Sequence, residues 1–159
     1  MANAKLIGAC SKVALNKILA VKSLGVDSTE APLLLFYAAE NLVKAVLESE
    51  DVPPTLWRKA SGNHQLGRMI DCLPDDCSIK DRLRVLDNLT PYATNHRYPS
   101  AEGKMPQLPK VEKIQEWYEA TFEITEELFN HFKINPKDQQ PVALRINPLR
   151  SSFPNITLG

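Results

Sequence analysis

Between Thr90 and Pro99 the chain gathers Tyr92, His96, Arg97 and Tyr98 within seven residues. A guanidinium flanked by aromatic rings can grip a phosphate through paired N–H bonds while a ring stacks on a base. The same residues also admit a plainer role, with Arg97 capping carbonyls at a helix end and the tyrosines filling core. Glu40 and Lys44 form a second polar group, four residues apart and so on one face of a helix. As an exposed pair they are worth about 0.2–0.5 kcal/mol. As one wall of a cleft on an otherwise buried helix they would contact a ligand.

Three histidines, His64, His96 and His131, are widely separated along the chain. Cleaving RNA through its 2′-OH needs one group to take a proton and another to stabilise the phosphorane charge. Arg97 can supply the second; His96 and His64 are the candidates for the first. Arg58 lies six residues before His64, but a loop-like stretch separates them. The chain holds no glycine-rich phosphate loop, no clustered His/Cys set and no nucleophile elbow, so neither a metal nor a cofactor is expected.

The element that must position this chemistry is the stretch from Glu30 to Glu50. Leu34, Leu35, Phe36, Ala38, Ala39, Leu42, Val43, Ala45, Val46 and Leu47 cover roughly 220° of its surface at 100° per residue. Tyr37, Glu40, Asn41, Lys44 and Glu48 share the remaining stripe. A helix apolar over so much of its girth belongs in the middle of a bundle. Thr29 is placed to cap it, Glu30 to sit in its first turn and Pro32 where no donor is needed.

Around it the periodicity gives a first helix from Asn3 to Leu24, ended by Gly25 and antiparallel to the second across a short connection. The Pro53-Pro54 pair argues that Asp51 to Asn63 is a loop anchored by Trp57. Asn63 would cap a short helix from His64 to Leu73, and Ser78 with Asp81 would form a capping box for another reaching Leu89. That helix points Ile79, Leu83, Leu86 and Leu89 inward. Thr90-Pro91 opens one more turn, ended before Pro99. After a loop to Pro109, a long helix from Lys110 to Phe132 closes the bundle with Val111, Ile114, Tyr118, Phe122, Thr125, Phe129 and Phe132, widened by Trp117 and Leu128.

These elements imply an all-α, up-and-down bundle of four to six helices over residues 1–134. Residues 135–159, with four prolines and no helical period, read as an extended or disordered tail that adds little to folding. In it Val142, Leu144 and Ile146 alternate, as do Ile156 and Leu158, as docking residues would. The formal net charge is zero, which removes any bulk electrostatic pull to nucleic acid or membrane. Lysines interrupt the N-terminal segment too often for a membrane span or signal peptide. Cys10, Cys72 and Cys77 are an odd set that fits a reducing, cytoplasmic setting, with Cys10 a core residue. The sequons at Asn88 and Asn155 then carry no meaning.

AAENLVKAVL in the second helix, His64-Gln65-Leu66, and LDNLTPYATNHRYP together resemble a HEPN domain over roughly Leu34 to Pro99. The resemblance implies an α-helical bundle that pairs into a homodimer around a cleft. Members serve as RNases of toxin–antitoxin and defence systems, or as non-catalytic nucleotide- or RNA-binding partners of small nucleotidyltransferases. By resemblance Arg97 and Tyr98 line the cleft, Glu40 and Lys44 face it, and His64 orders a neighbouring loop. Catalytic members carry an Arg followed four to six residues later by His. After Arg97 no histidine occurs until His131, and His96 precedes the arginine. The leading expectation is therefore binding of a nucleotide or RNA without efficient cleavage. The rivals are a divergent, metal-independent endoribonuclease toxin and a helical module that docks a protein partner.

Overall fold

The computed structural model describes residues 2–94 and 96–150. It is an all-α bundle: α1 Ala4–Leu24, α2 Ala31–Ser49, α3 Pro54–Gly62, α4 Leu66–Asp71, α5 Lys80–Val85, a 3-10 turn Leu86–Leu89, α6 Thr90–Ala93 and α7 Val111–Phe132. No strand forms among the described residues beyond an isolated bridge between Cys77 and Arg150. Among the described residues no helix is long and apolar enough to cross a membrane.

The second helix is central, as its girth requires. Thirteen of its residues are buried, among them Phe36, Leu42, Val46 and Leu47. It packs against α1, α4, the 3-10 turn, α6 and α7. Helices α1 and α2 run antiparallel: the Asn3 amide donates to Glu48 at the far end of α2, while Lys17 lies over the Tyr37 ring. Asn3 also caps α1, accepting from the amides of Lys5 and Leu6. At the start of α2 the cap residue is Glu30 rather than Thr29, and no side chain caps it.

Several boundaries differ from the sequence reading. Pro53-Pro54 does not exclude helix but starts one, because Pro54 occupies the first helical position, where the missing amide has no partner to lose. The loop expected over Asp51 to Asn63 is thus α3, and Trp57 anchors it from the helix, buried and donating to the Val52 carbonyl. Asn63 terminates α3 instead of capping the next helix. His64 stands in the junction with φ of 54°, a left-handed conformation incompatible with a helix start. Helix α4 begins only at Leu66.

Ser78 and Asp81 form no capping box, since Ile79 is the cap residue and no side chain caps α5. The inward set Ile79, Leu83, Leu86 and Leu89 is nevertheless fully buried. On α7 the buried stripe centres on Ile114, Trp117, Thr121, Ile124 and Leu128, leaving Val111 exposed and Tyr118 and Phe122 half-buried.

The segment after α7 lies along the bundle as far as Arg150. Its docking phase is opposite to the one its alternation suggests: Pro141, Ala143 and Leu149 are buried, while Val142, Leu144 and Ile146 face outward. Backbone bonds decide this. The Ala143 amide donates to the Ala4 carbonyl at the start of α1, and the Leu144 and Arg145 amides donate to Phe132 at the end of α7. At Gly8 the arm comes so close that an added Cβ would stand 2.3 Å from the Pro141 carbonyl oxygen. The alternation of Ile156 and Leu158, and the sequon at Asn155, lie outside the described residues.

Candidate functional site

The polar stripe of α2 is neither fully wet nor fully dry. Glu40 is 6% exposed, and its two carboxylate oxygens have different partners. Oε1 accepts from the Ser61 hydroxyl at 3.1 Å and pairs with Lys44 Nζ at 3.1 Å. Oε2 faces His64 Nδ1 at 3.5 Å; both atoms are shut off from solvent and neither makes a hydrogen bond among the described residues. Phe36 and Tyr37 hold the imidazole edge-on, with ring centroids 5.8 and 6.3 Å away. The carboxylate is therefore gripped by its own helix and by the α3–α4 junction. An ordinary exposed i,i+4 pair does not describe it.

Arg97 and Tyr98 stand elsewhere. They follow α6 on the exposed surface, with the Arg97 guanidinium 5.3 Å from the Tyr98 ring centroid. Tyr98 is 65% exposed. Tyr92 is half-buried, meeting Trp117 at 6.0 Å and His96 at 5.6 Å between ring centroids. Burial raises the Tyr92 phenol above its ordinary range, so it stays protonated. The Arg97 side chain caps no carbonyl among the described residues; only its backbone amide bonds back, to Thr94.

Beside this turn is a cavity of about 340 Å³. The start of α2 contributes Thr29, Glu30, Pro32 and Leu33; the turn after α6 contributes Tyr92, His96, Arg97 and Pro99; the following loop adds Met105, Pro106 and Leu108. Its volume is that of a small-ligand pocket, with apolar walls and a few ionisable groups. The cations are Arg97 and, when protonated, His96; the anion is Glu30. No ion pair joins Glu30 to Arg97 among the described residues.

The sequence-derived candidates thus fall into two groups. Arg97 and His96 line the cavity and the neighbouring Tyr98 does not, whereas Lys44 and His64, both partly exposed, gather round the buried Glu40 carboxylate; among the described residues no hydrogen bond or ion pair joins the two groups. Leu33 and Glu40 are seven residues apart on one face of α2, so the cluster begins roughly 10 Å along the helix from the cavity wall. Of the cavity's other members, Met105, Pro106 and Leu108 carry no signal beyond being apolar residues in a proline-bearing loop. Ser61 was concealed by its distance from Glu40 in the chain.

One further depression, of about 700 Å³, lies between Arg82 and the end of α7. Its wall mixes Arg82, Lys133 and Arg145 with Glu123, Glu126 and Glu127, and Arg82 is paired with Glu127. Such interleaved charges favour neither anion nor cation. Among the described residues no three His, Cys, Asp or Glu side chains are grouped to hold a metal. The chain matches no protein-family model, and no curated protein or solved structure matches it either.

Proposed function

We propose that this protein is a HEPN-like binding module for a nucleotide or an RNA end, acting as a homodimer in a toxin–antitoxin or defence-type system. The observation that carries the binding reading is the shared cavity of Arg97, His96 and Tyr92. It offers a planar, bidentate phosphate ligand beside an aromatic ring and apolar walls wide enough for one base. The Glu40–Lys44–His64 cluster then serves as the rigid stem behind this end of the bundle. The homodimer, the nucleotidyltransferase or other protein partner and the defence role rest on the sequence resemblance.

His96 beside Arg97 favours a second reading, in which a weak RNase uses His96 as base, since His64 lies outside the cavity. One experiment addresses both: titration of the full chain with mononucleotides and with labelled single-stranded RNA. Arg97→Lys keeps the charge but loses the fork, and should weaken binding about ten- to a hundredfold. Cleavage lost in His96→Ala would favour the nuclease. Absence of both binding and cleavage at millimolar nucleotide would end both readings. Sedimentation at micromolar concentration tests the homodimer; a monomer mass alone would remove it.

A further inference from the structure

Glu30 and Arg97 line one cavity, carry opposite charge and form no ion pair among the described residues. Glu30 is exposed, and its carboxylate accepts no helix-capping bond although it stands at the cap position of α2. Among the described residues neither side chain has a hydrogen-bond or ion-pair partner, so the cavity keeps a double acceptor and a double donor, and Tyr92, Leu33 and Met105 share its lining. A ligand that satisfies both must carry an anion at one end and paired donors at the other, joined by something flat and apolar.

Among nucleotides this requirement is selective. A carboxylate is acceptor-only, with two oxygens side by side. On its pairing edge guanine offers two neighbouring N–H donors, N1–H and the N2 amino group. Adenine offers one donor beside an acceptor, uracil one donor between two acceptors, and cytosine one donor beside an acceptor. A carboxylate facing any of these three meets at least one lone pair, which repels it.

Resting on the nucleotide-binding reading above, we propose that Glu30 reads the pairing edge of an unpaired guanine while Arg97 holds its phosphate. The site takes a guanine nucleotide, free or at an exposed RNA position. A base-paired guanine is excluded, because its edge is already used. Glu30 is then the specificity-determining residue, and the cavity discriminates by charge pattern as well as by shape.

The substitution Glu30→Gln makes a sharp test, because it replaces one acceptor by a donor. An amide is complementary to the donor–acceptor edge of adenine, so the preference should invert instead of merely weakening. Calorimetric titration of the full chain with GMP, AMP and deoxy-GMP provides the comparison. Expected for the wild type is GMP bound about tenfold or more tightly than AMP, with deoxy-GMP close to GMP. In Glu30→Gln, GMP should fall by a similar factor and AMP should gain. Arg97→Lys should weaken GMP and AMP alike and leave their ratio unchanged.

Equal affinity for GMP and AMP in both proteins would overturn the assignment while leaving nucleotide binding standing. Loss of deoxy-GMP binding would overturn it too, since Glu30 would then be gripping the ribose diol. If none of the three binds at millimolar concentration, the underlying nucleotide reading falls with it. Circular dichroism of Glu30→Gln should match the wild type, because its side chain makes no bond that holds α2.

Discussion

His64 Nδ1 lies 3.5 Å from Glu40 Oε2, so a residue in the left-handed α3–α4 junction meets the buried carboxylate at the middle of α2. His64 adopts φ of 54°, a left-handed conformation uncommon outside Gly but entered by His more readily than by most residues. Aromatic edges from Phe36 and Tyr37 and the facing carboxylate hold it there.

Glu40→Ala should destabilise the bundle by about 2 kcal/mol, several times the value of an exposed helix pair. It would strand the Ser61 hydroxyl and leave Lys44, itself only partly exposed, without its counter-charge. Lys44→Met should cost less, because Ser61 still bonds Glu40. Thermal unfolding of the two variants gives the ranking. A loss below about 0.5 kcal/mol for Glu40→Ala would return the pair to the ordinary surface class.

Gly8→Ala should reverse sign with the arm. In the full chain the new methyl collides with the Pro141 carbonyl, and the cost of about 1–3 kcal/mol outweighs the roughly 1 kcal/mol that alanine adds to a helix. In a chain ending at Ile134 the collision is gone, and the same substitution should stabilise. Denaturant unfolding of the four proteins decides it; the same sign in both backgrounds would show that the arm does not press on Gly8.

Ending the chain at Ile134 should also lower stability, by about 2–4 kcal/mol from lost burial and lost hydrogen bonds. The arm's far end is a clamp. Glu50, with its side chain 1% exposed, accepts from the Leu149 amide at 3.1 Å and pairs with Arg150 at 2.7 Å, while Arg150 Nε reaches Asp76 at 3.0 Å. Removing the arm leaves the Glu50 carboxylate without either partner. Arg150→Ala alone should give part of the loss, and unchanged unfolding in both variants would make the arm an ornament.

The cysteines should separate by reactivity. Burial pushes the Cys10 thiol above its ordinary range, with Lys44 opposing and Glu48 adding to the rise; burial likewise raises Cys77. Cys72 is only half-buried. Native-state alkylation at about pH 8 should therefore modify Cys72 first. A folded-state pKa above the unfolded one contributes stability that is complete below the ordinary thiol range and fades as pH rises through the raised value. Alkaline destabilisation should thus be shallower in Cys10→Ala. Equal labelling of all three thiols would contradict the burial.

What the sequence determined by itself is the set of helices whose faces are repeated many times over. The girth of Glu30 to Glu50, the stripe from Ile79 to Leu89 and the stop after Phe132 follow from local periodicity, and local periodicity survives folding unchanged. The crowding of Tyr92, His96 and Arg97 in one turn was legible for the same reason, since residues so close in the chain must share a neighbourhood. Decisions carried by few residues were not legible in this way. Pro53-Pro54 starts a helix or forbids one depending on a single position, and His64 left the helix because the α3–α4 junction needed a left-handed residue opposite Glu40.

Only the tertiary structure decided which polar groups meet. Ser61 and His64 reach Glu40 across more than twenty residues, Glu30 reaches the Arg97 cavity from the N-terminal cap of the same helix, and the arm's phase was set by hydrogen bonds to Ala4 and Phe132. Hydrophobic periodicity specifies a face but carries no address for its partner. Pairing between distant polar atoms depends on the geometry left after the apolar faces have packed.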